Sequence, residues 1–294
     1  MRAPIRYYHG PWPENRKGVV CLTFDVDVGY AYTKGTQAWG AVPRWLGLTT
    51  LLAGGLSVES RGYYGLHTGL PRILNLLKRK NIEATFFVPA RNMEKYPKQL
   101  RTIHEAGHEI GNHGYAHEAP VQLARSPRKE AALLEKAQSV FRSALGFRPV
   151  GYRSPAWDLN RRTPRLLKQA GFLYDSSLFA GDAPYRLSVY DPAVELLEIP
   201  IDWSKDDAAY FLFFKPPVTF AQFHDPESVF RIWRTELDGV VDAGGVFTLT
   251  CHPSIIGRFH RLEILEKLID HAVARGDVWF PTLEQVARHV QDRL

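Results

Sequence analysis

The sequence of 294 residues predicts an α/β fold in which about seven parallel strands close into an irregular (β/α) barrel. Short apolar runs alternate with amphipathic segments along almost the whole chain, the pattern of strands joined by crossover helices. At least six such runs occur, which favours a closed barrel over the alternative, a doubly wound open sheet. No repeat or low-complexity linker divides the chain, so we expect a single domain over residues 1–294.

The predicted strands are short and apolar, and several of them end at polar residues. The first spans residues 19–24 and leads into acidic residues, and the second spans residues 84–88 and is stopped by Pro89. Continuous apolar runs of this length are typical of strands buried on both faces. The others are predicted over residues 109–111, 150–152, 197–201, 246–250 and 278–280.

The predicted helices carry apolar residues on one face and are often followed by glycine. In residues 70–80 that face is formed by Leu70, Ile73, Leu74 and Leu77, at helical spacing. Gly107, Gly146 and Gly171 are placed as C-caps after later segments. Those segments and the remaining predicted helices span residues 96–106, 128–145, 163–170 and 262–274, with a last helix beginning at Thr282.

Two insertions interrupt the alternation, near residues 30–68 and 204–225. Long loops in compact domains are usually either functional or disordered, and the aromatic content of both segments argues against disorder. We expect them to form a lid or the walls of a pocket. Contacts between subunits, or a small satellite core, are the alternative.

Composition excludes several classes of protein. The chain is 45% hydrophobic and 23% charged, unlike a disordered protein, and no apolar stretch reaches the length of a transmembrane helix. The net charge of +6 is spread without a basic stripe, so we expect no nucleic-acid partner and no membrane partner. Cys21 and Cys251 form no disulfide framework, and strand parity points the first into the barrel and the second outward. These features, with no secretory signal, predict a cytoplasmic protein.

Polar residues that could carry chemistry follow the predicted strands, at the end where parallel barrels place their active sites. Asp25 and Asp27 point to the same side of an extended segment, where they repel each other unless a cation or proton lies between them. His113 and His117 have the i, i+4 spacing that lets two imidazoles meet on one metal ion.

Arg153 and His252 also follow predicted strands. An arginine at a barrel mouth usually pairs with a carboxylate. Taken singly, Arg153 is equally well explained as a structural salt bridge, and a lone aspartate or histidine is more often a turn residue or a hydrogen-bonded structural residue. Their common position at strand ends is what indicates a site.

The set resembles the polysaccharide deacetylases with a NodB homology domain, carbohydrate esterase family 4. Five short motifs of that family occur in order, and the resemblance runs from about residue 18 to 285. It implies a NodB-type barrel and hydrolysis of a non-peptide carbon–nitrogen bond. The motifs are Thr23-Phe24-Asp25-Val26-Asp27, His113-Gly114-Tyr115-Ala116-His117, Arg153-Ser154-Pro155, Asp202-Trp203 and Leu249-Thr250-Cys251-His252.

The residue types fit metal-assisted amide hydrolysis. Asp27, His113 and His117 supply one carboxylate and two imidazoles, which suits one divalent ion, Zn²⁺ first and Co²⁺, Ni²⁺ or Fe²⁺ as alternatives. Asp25 is then the general base that accepts the water proton. His252 is the acid that protonates the leaving amine.

The resemblance implies further roles around these groups. Arg153 pairs with Asp25 and keeps it ionised, and Asp202 holds the ring of His252. The neighbouring Trp203 walls that histidine. The backbone N–H of Ala156 is the candidate oxyanion donor. Ala156 stands where classical members often carry an aromatic ring, and Trp157 is the candidate substitute for sugar stacking.

One departure bears on the substrate. Val26 separates two acids that are adjacent in many members. The separated arrangement is similar to that of a branch that includes a Helicobacter peptidoglycan-deacetylase-type protein and allantoinase-like PuuE proteins. The first hypothesis is deacetylation of an N-acetylated sugar or polysaccharide. The second is hydrolysis of small cyclic amides or imides, without an obligatory metal, and the lack of an export signal favours it. A degenerate carbohydrate-binding protein is a weaker third. The branch also leads us to expect a homo-oligomer.

Overall fold

The computed structural model describes residues 4–28, 56–214, 220–221 and 223–294. Its strands are β1 (Gly18–Asp25), β2 (Thr85–Val88), β3 (Glu109–Asn112), β4 (Gly151–Tyr152), β5 (Tyr174–Asp175), β6 (Tyr185–Arg186), β7 (Leu197–Glu198), β8 (Phe213–Phe214), β9 (Phe220–Ala221), β10 (Val246–Cys251) and β11 (Val278–Trp279). Its helices are α1 (Leu56–Tyr64), α2 (Leu70–Lys80), α3 (Ala90–Lys95), α4 (Pro97–Glu105), α5 (Pro127–Leu145), α6 (Thr163–Gln169), α7 (Asp207–Phe211), α8 (Pro226–Asp242), α9 (Pro253–Ile256), α10 (Phe259–Arg275) and α11 (Leu283–Val290).

Seven parallel strands form the curled sheet, in the order β10-β1-β2-β3-β4-β5-β7. Strand β11 pairs in parallel with the start of β1, and β6 adds an antiparallel edge beside β7. Beyond β7, Asp206 makes a parallel bridge to Thr250 of β10, which brings the two ends of the sheet together. The predicted irregular (β/α) barrel of about seven parallel strands is confirmed.

Alternate residues of β1 pack into two different apolar clusters. Val20 and Phe24 pack with the helices around the sheet, whereas Val19 and Cys21 pack inside it against the apolar face of α11. Cys251 belongs to the outer cluster. The two cysteines, both free and buried, thus lie in different clusters, and their predicted opposite orientations are confirmed.

Some elements were absent from the sequence prediction. Strands β5 and β6 have two residues each, too short to show a periodic pattern. The longest missed element is α8, which begins after the capping carboxylate of Asp225 and buries Val229, Trp233 and Leu237. The first insertion ends in α1 and a π-helical turn, Gly65–Gly69. Its earlier aromatic residues lie outside the described residues: Tyr30, Tyr32, Trp39 and Trp45.

Within the described ranges, no helix combines the length and the apolar character that crossing a bilayer requires.

The π-helical turn packs directly against the segment that follows His252. A Cβ placed on Gly69 would come within 2.0 Å of the Pro253 carbonyl oxygen. We therefore expect Gly69→Ala to lower the free energy of unfolding by about 1–3 kcal/mol, measured by denaturant titration. The matched control is Gly239→Ala on the exposed side of α8, where no atom lies within 4 Å of the added Cβ and alanine favours the helix. Equal losses in the two variants would contradict this packing argument.

Candidate active site

The predicted residues meet at the carboxyl ends of the parallel strands. Asp25 is the last residue of β1, and His113, Arg153 and His252 come directly after β3, β4 and β10. Asp27 follows Asp25 by two residues on the same side. The polar positions of four strand ends therefore open into one site, as the sequence predicts.

Three side chains form a donor set suited to a metal ion. Asp27 Oδ1 lies 3.3 Å from His117 Nε2 and 3.7 Å from His113 Nε2. The donor atoms of all three lie within 4.8 Å of one another. Asp27 Oδ1 is buried and has no hydrogen-bond donor within the described chain, which is the situation expected of a metal-ligating oxygen.

Hydrogen bonding and burial prepare His113 to bind a metal ion. His113 Nδ1 bonds to the Arg153 carbonyl oxygen at 2.8 Å and therefore carries its proton, which leaves Nε2 facing Asp27. Burial lowers the pKa of His113, which favours the neutral imidazole that binds metals. Burial opposes ionisation of Asp27, but the three nearby imidazoles outweigh it, and they hold the pKa of Asp27 below its usual range.

Arg153 is fully buried and holds Asp25. Its Nη1 donates to Asp25 Oδ1 at 3.0 Å and to Thr23 Oγ1 at 2.8 Å. Its other nitrogens donate to Ser176, Nε to the carbonyl oxygen and Nη2 to the hydroxyl. Its guanidinium also lies 4.3 Å from the centre of the Phe87 ring. The predicted Arg153–Asp25 pair is present, with its geometry fixed at every guanidinium nitrogen.

His252 is held by Asp207, so the prediction that Asp202 holds this ring is wrong. His252 Nδ1 lies 2.7 Å from Asp207 Oδ1, and its backbone N–H donates to Asp207 Oδ2 at 2.9 Å. Asp202 instead caps the short turn Trp203–Lys205 and accepts from the Ser204 backbone N–H. The physical reason is local: this cap uses the Asp202 carboxylate, and the chain brings Asp207 to β10 five residues later.

Two carboxylates raise the pKa of His252 well above its ordinary value. Burial works in the opposite direction, but Asp206 and Asp207 outweigh it. Burial and the adjacent Asp207 raise the pKa of Asp206 to about 7. His252 Nε2 faces the metal-donor set, 3.7 Å from Asp27 Oδ2. His252, Asp206 and Asp207 also meet the spacing of a metal group, but both Asp207 oxygens already bond to His252.

The three predicted substrate-binding residues lie on two loops that face each other. Ala156 is exposed and Trp157 is buried, and both adopt left-handed backbone conformations with φ of 56° and 55°. Such strain at two neighbouring non-glycine residues is typical of functional loops. The rings of Trp157 and Trp203 stack with centroids 4.1 Å apart, and Trp203 is 49% exposed. Phe179, which the sequence analysis missed, extends this stack and is 41% exposed.

The end of the first insertion borders the site. A cavity beside Asp27 is lined by Gly62 and Gly65 of that segment and by Pro253 and Ser254 of α9, which follows β10. For the described part of the insertion, this supports the expectation of a pocket wall.

The barrel and its site define the class of protein: a hydrolase of non-peptide carbon–nitrogen bonds, of the deacetylase type. The family model described as polysaccharide deacetylase matches residues 61–174. The chain is 32% identical over 252 residues to the peptidoglycan deacetylase of Helicobacter pylori, covering 78% of this chain and 85% of that one. It is 30% identical over 281 residues to the peptidoglycan deacetylase-like protein FGM2 of Gibberella zeae, covering 84% and 82%. The chain therefore belongs to the polysaccharide deacetylase family, which is metal-dependent.

Solved structures agree with this assignment. A putative polysaccharide deacetylase from Mycobacterium smegmatis superposes with a TM-score of 0.86 at 34% identity, over 100% of this chain and 96% of that one. The PuuE allantoinase superposes with a TM-score of 0.80 at 24% identity, over 96% and 93%. At that identity the second likeness shows a shared fold only.

Proposed function

We propose that this protein removes the acetyl group from an N-acetylated amino sugar within an oligosaccharide or polysaccharide, using one Zn²⁺ ion. The observation that carries the proposal is the meeting of three units in one site: the Asp27–His113–His117 donor set, the Asp25–Arg153 pair and the His252–Asp207 pair. The names of the relatives support the same chemistry.

The donor set fits a divalent ion held by Asp27, His113 and His117. When bound, such an ion supplies Lewis-acid chemistry, which polarises the amide carbonyl and acidifies water. Neutral imidazoles and a carboxylate suit Zn²⁺, and they also accept Co²⁺, Ni²⁺ or Fe²⁺.

The protein's own acid and base lie on opposite sides of that set. Arg153 occupies Asp25 Oδ1, which leaves Oδ2 to accept the proton of the attacking water. His252 donates through Nδ1–H to Asp207, and the raised pKa of His252 places a second proton on Nε2, which the leaving amine needs. An amine anion is a poor leaving group, so this second proton transfer is essential. The N–H of Ala156 stays the predicted oxyanion donor.

The test measures acetate release from N-acetylchitooligosaccharides by protein stripped with a chelator and reloaded separately with Zn²⁺, Co²⁺, Ni²⁺ or Fe²⁺. Acetate release restored best by Zn²⁺ supports the proposal. Allantoin and simple imides are assayed in parallel, because ring opening without acetate release would replace the proposed reaction by hydrolysis of cyclic amides. Activity unaffected by chelation would remove the metal from the proposal.

The exposed rings at the mouth bear on the size of the substrate. Trp203 is half-exposed on the loop that stacks against Trp157, and exposed aromatic rings of this kind can pack on sugar rings. We expect Trp203→Ala to raise KM for a chitooligosaccharide by about 2–10-fold with little change in kcat, as loss of one stacking contact implies. Trp203→Phe keeps an aromatic face and serves as the control. An unchanged KM for Trp203→Ala would remove this ring from substrate binding.

A further inference from the structure

Two buried carboxyl groups behind the site have no part in the proposed mechanism. Asp175 ends β5 and Glu198 ends β7, and they are directly opposed partners in the parallel register. Both side chains are completely buried. Buried acids are costly unless they are paired, protonated or hydrogen-bonded, so this arrangement requires an explanation.

One oxygen of each acid is fully used by the turn that follows β5. Asp175 Oδ1 accepts from the Ser177 hydroxyl at 2.8 Å. Glu198 Oε1 accepts from the backbone N–H groups of Ser177 and Leu178, each at 2.9 Å. The two carboxyl groups therefore hold residues 176–178 from both sides.

The second oxygen of each carboxyl group has no hydrogen-bond partner in the described chain. Asp175 Oδ2 and Glu198 Oε2 are buried and meet no donor within the described chain. Because Asp175 and Glu198 are directly opposed in register, their side chains leave neighbouring strands on the same face of the sheet, side by side. Two ionised carboxylates in this position repel each other, whereas one shared proton satisfies both. Burial raises the pKa of Asp175 to about 6 and that of Glu198 well above its usual range.

The turn held by this pair grips the loop after β4. Ser177 Oγ accepts from the Ser154 backbone N–H at 2.8 Å. Ser176 accepts from Arg153 through its carbonyl oxygen, at 2.9 Å from Nε, and through its hydroxyl, at 3.0 Å from Nη2. Arg153 in turn holds Asp25. Two contacts thus link the turn to the proposed general base: Ser176 to Arg153, and Arg153 to Asp25. One contact, Ser177 to Ser154, links it to the loop that carries Ala156.

We propose that Asp175 and Glu198 share one proton and act as positioning residues, which hold Arg153, and through it Asp25, in working geometry. The titratable and charged groups that face them are Arg153 on β4's loop, Tyr152 on β4 and Tyr185 on β6. With one shared proton the pair carries a single negative charge. A second charge would act on the guanidinium that holds Asp25, because Arg153 also bonds to Ser176, the residue next to Asp175.

Infrared spectroscopy tests the shared proton without any assay of activity. At about pH 7, some three units above an ordinary carboxyl pKa, the protein is expected to show a C=O band of an un-ionised carboxyl that shifts in D₂O. Asp175→Asn and Glu198→Gln should each remove the same component of that band. Any component that survives in both belongs to other buried acids, such as Asp206 or Glu109. Survival of the whole band in both variants overturns the shared proton.

Three variants test the positioning role, whose kinetic arm rests on the proposed deacetylation. Asp175→Asn places an amide donor where the proton lay and should keep kcat within about twofold of the wild type. Asp175→Ala should lower kcat by about 10–100-fold at nearly unchanged KM, because misplacement of about 1 Å has that cost. Ser177→Ala keeps both carboxyl groups but removes the hydroxyl that bonds to the Ser154 N–H and to Asp175 Oδ1, so it should lower kcat while the band of the un-ionised carboxyl persists at a shifted frequency. It also keeps the test open if Asp175→Ala does not fold.

Hydrogen exchange of residues 150–158, followed by mass spectrometry, tests the positioning role without a measurement of activity. Exchange should accelerate in Asp175→Ala and Ser177→Ala and stay normal in Asp175→Asn. Ser139→Ala, on the exposed face of α5, is the control. Normal exchange and normal kcat in Ser177→Ala overturn the positioning role. If the wild type released no acetate while the infrared and exchange results held, the proposed substrate would be wrong and the carboxyl pair would stand.

Discussion

Replacing Asp25 by asparagine is expected to lower kcat by about 10²–10⁴-fold while leaving the metal content unchanged. The reason is the division of labour between the two acids of β1's end. Asp27 Oδ1 lies 3.3 Å from His117 Nε2 and 3.7 Å from His113 Nε2, whereas Asp25 Oδ2 lies 3.9 Å from His113 Nε2. Asp25 is bound by Arg153 instead, and an amide in its place cannot accept the water proton.

The measurement pairs steady-state kinetics with metal stoichiometry of the purified variant. Asp27→Asn is the matched control, since it makes the same chemical change two residues along and should lose the metal. Loss of metal from Asp25→Asn with retention by Asp27→Asn would reverse the assigned roles. A kcat for Asp25→Asn close to that of the wild type would remove Asp25 from proton transfer.

Positions fixed by strand periodicity were predictable from the sequence. A residue that directly follows a buried parallel strand must lie at the mouth of the barrel, and this placed Asp25, His113, Arg153 and His252 correctly. Orientation within strands follows the same rule, because alternate side chains point to opposite faces. Cys21 and Cys251 were therefore assigned to opposite sides of the sheet without any structural information.

Contacts decided by irregular segments were not predictable in that way. After β7 the chain offers three nearby acids, and only the turn Trp203–Lys205 decides which of them reaches His252. The Asp202 carboxylate caps that turn, and Asp207 is the acid that reaches His252. The Asp206-Asp207 pair at the start of α7 was a visible signal that could have prompted the alternative.

The buried carboxyl pair was invisible for a different reason. Glu198 lies on a predicted strand, but Asp175 lies on β5, a two-residue strand that no periodic pattern reveals, so their pairing in register could not be seen. Helix α8 is the opposite case: Asp225 as N-cap and apolar residues at helical spacing were present in the sequence and could have been used. Short strands in a barrel are thus defined by their neighbours, whereas a long helix is defined by its own residues.

The corrected role of Asp207 leads to the second large effect. Asp207→Asn removes a negative charge that bonds to Nδ1 of His252, so the pKa of His252 should fall towards its ordinary value of about 6.5. His252 gives up a proton in the reaction, so activity requires its cationic form and is lost as pH rises through the pKa of His252. In the wild type the raised pKa keeps this acid charged at neutral pH. In Asp207→Asn the alkaline limb of the kcat profile should therefore move to lower pH.

At about pH 8 we expect kcat of Asp207→Asn to fall by about 10–10³-fold, because the acid is then mostly neutral and its ring is less firmly oriented. Measurement of kcat across the pH range separates the two effects, since poor orientation lowers the plateau whereas the altered pKa moves the limb. Asp202→Asn is the matched control: asparagine caps a turn about as well as aspartate, so this variant should keep its stability and leave the limb in place. If the limb moved in Asp202→Asn and stayed in Asp207→Asn, the carboxylate that holds His252 during turnover would be Asp202, and the contact at 2.7 Å would have no part in the reaction.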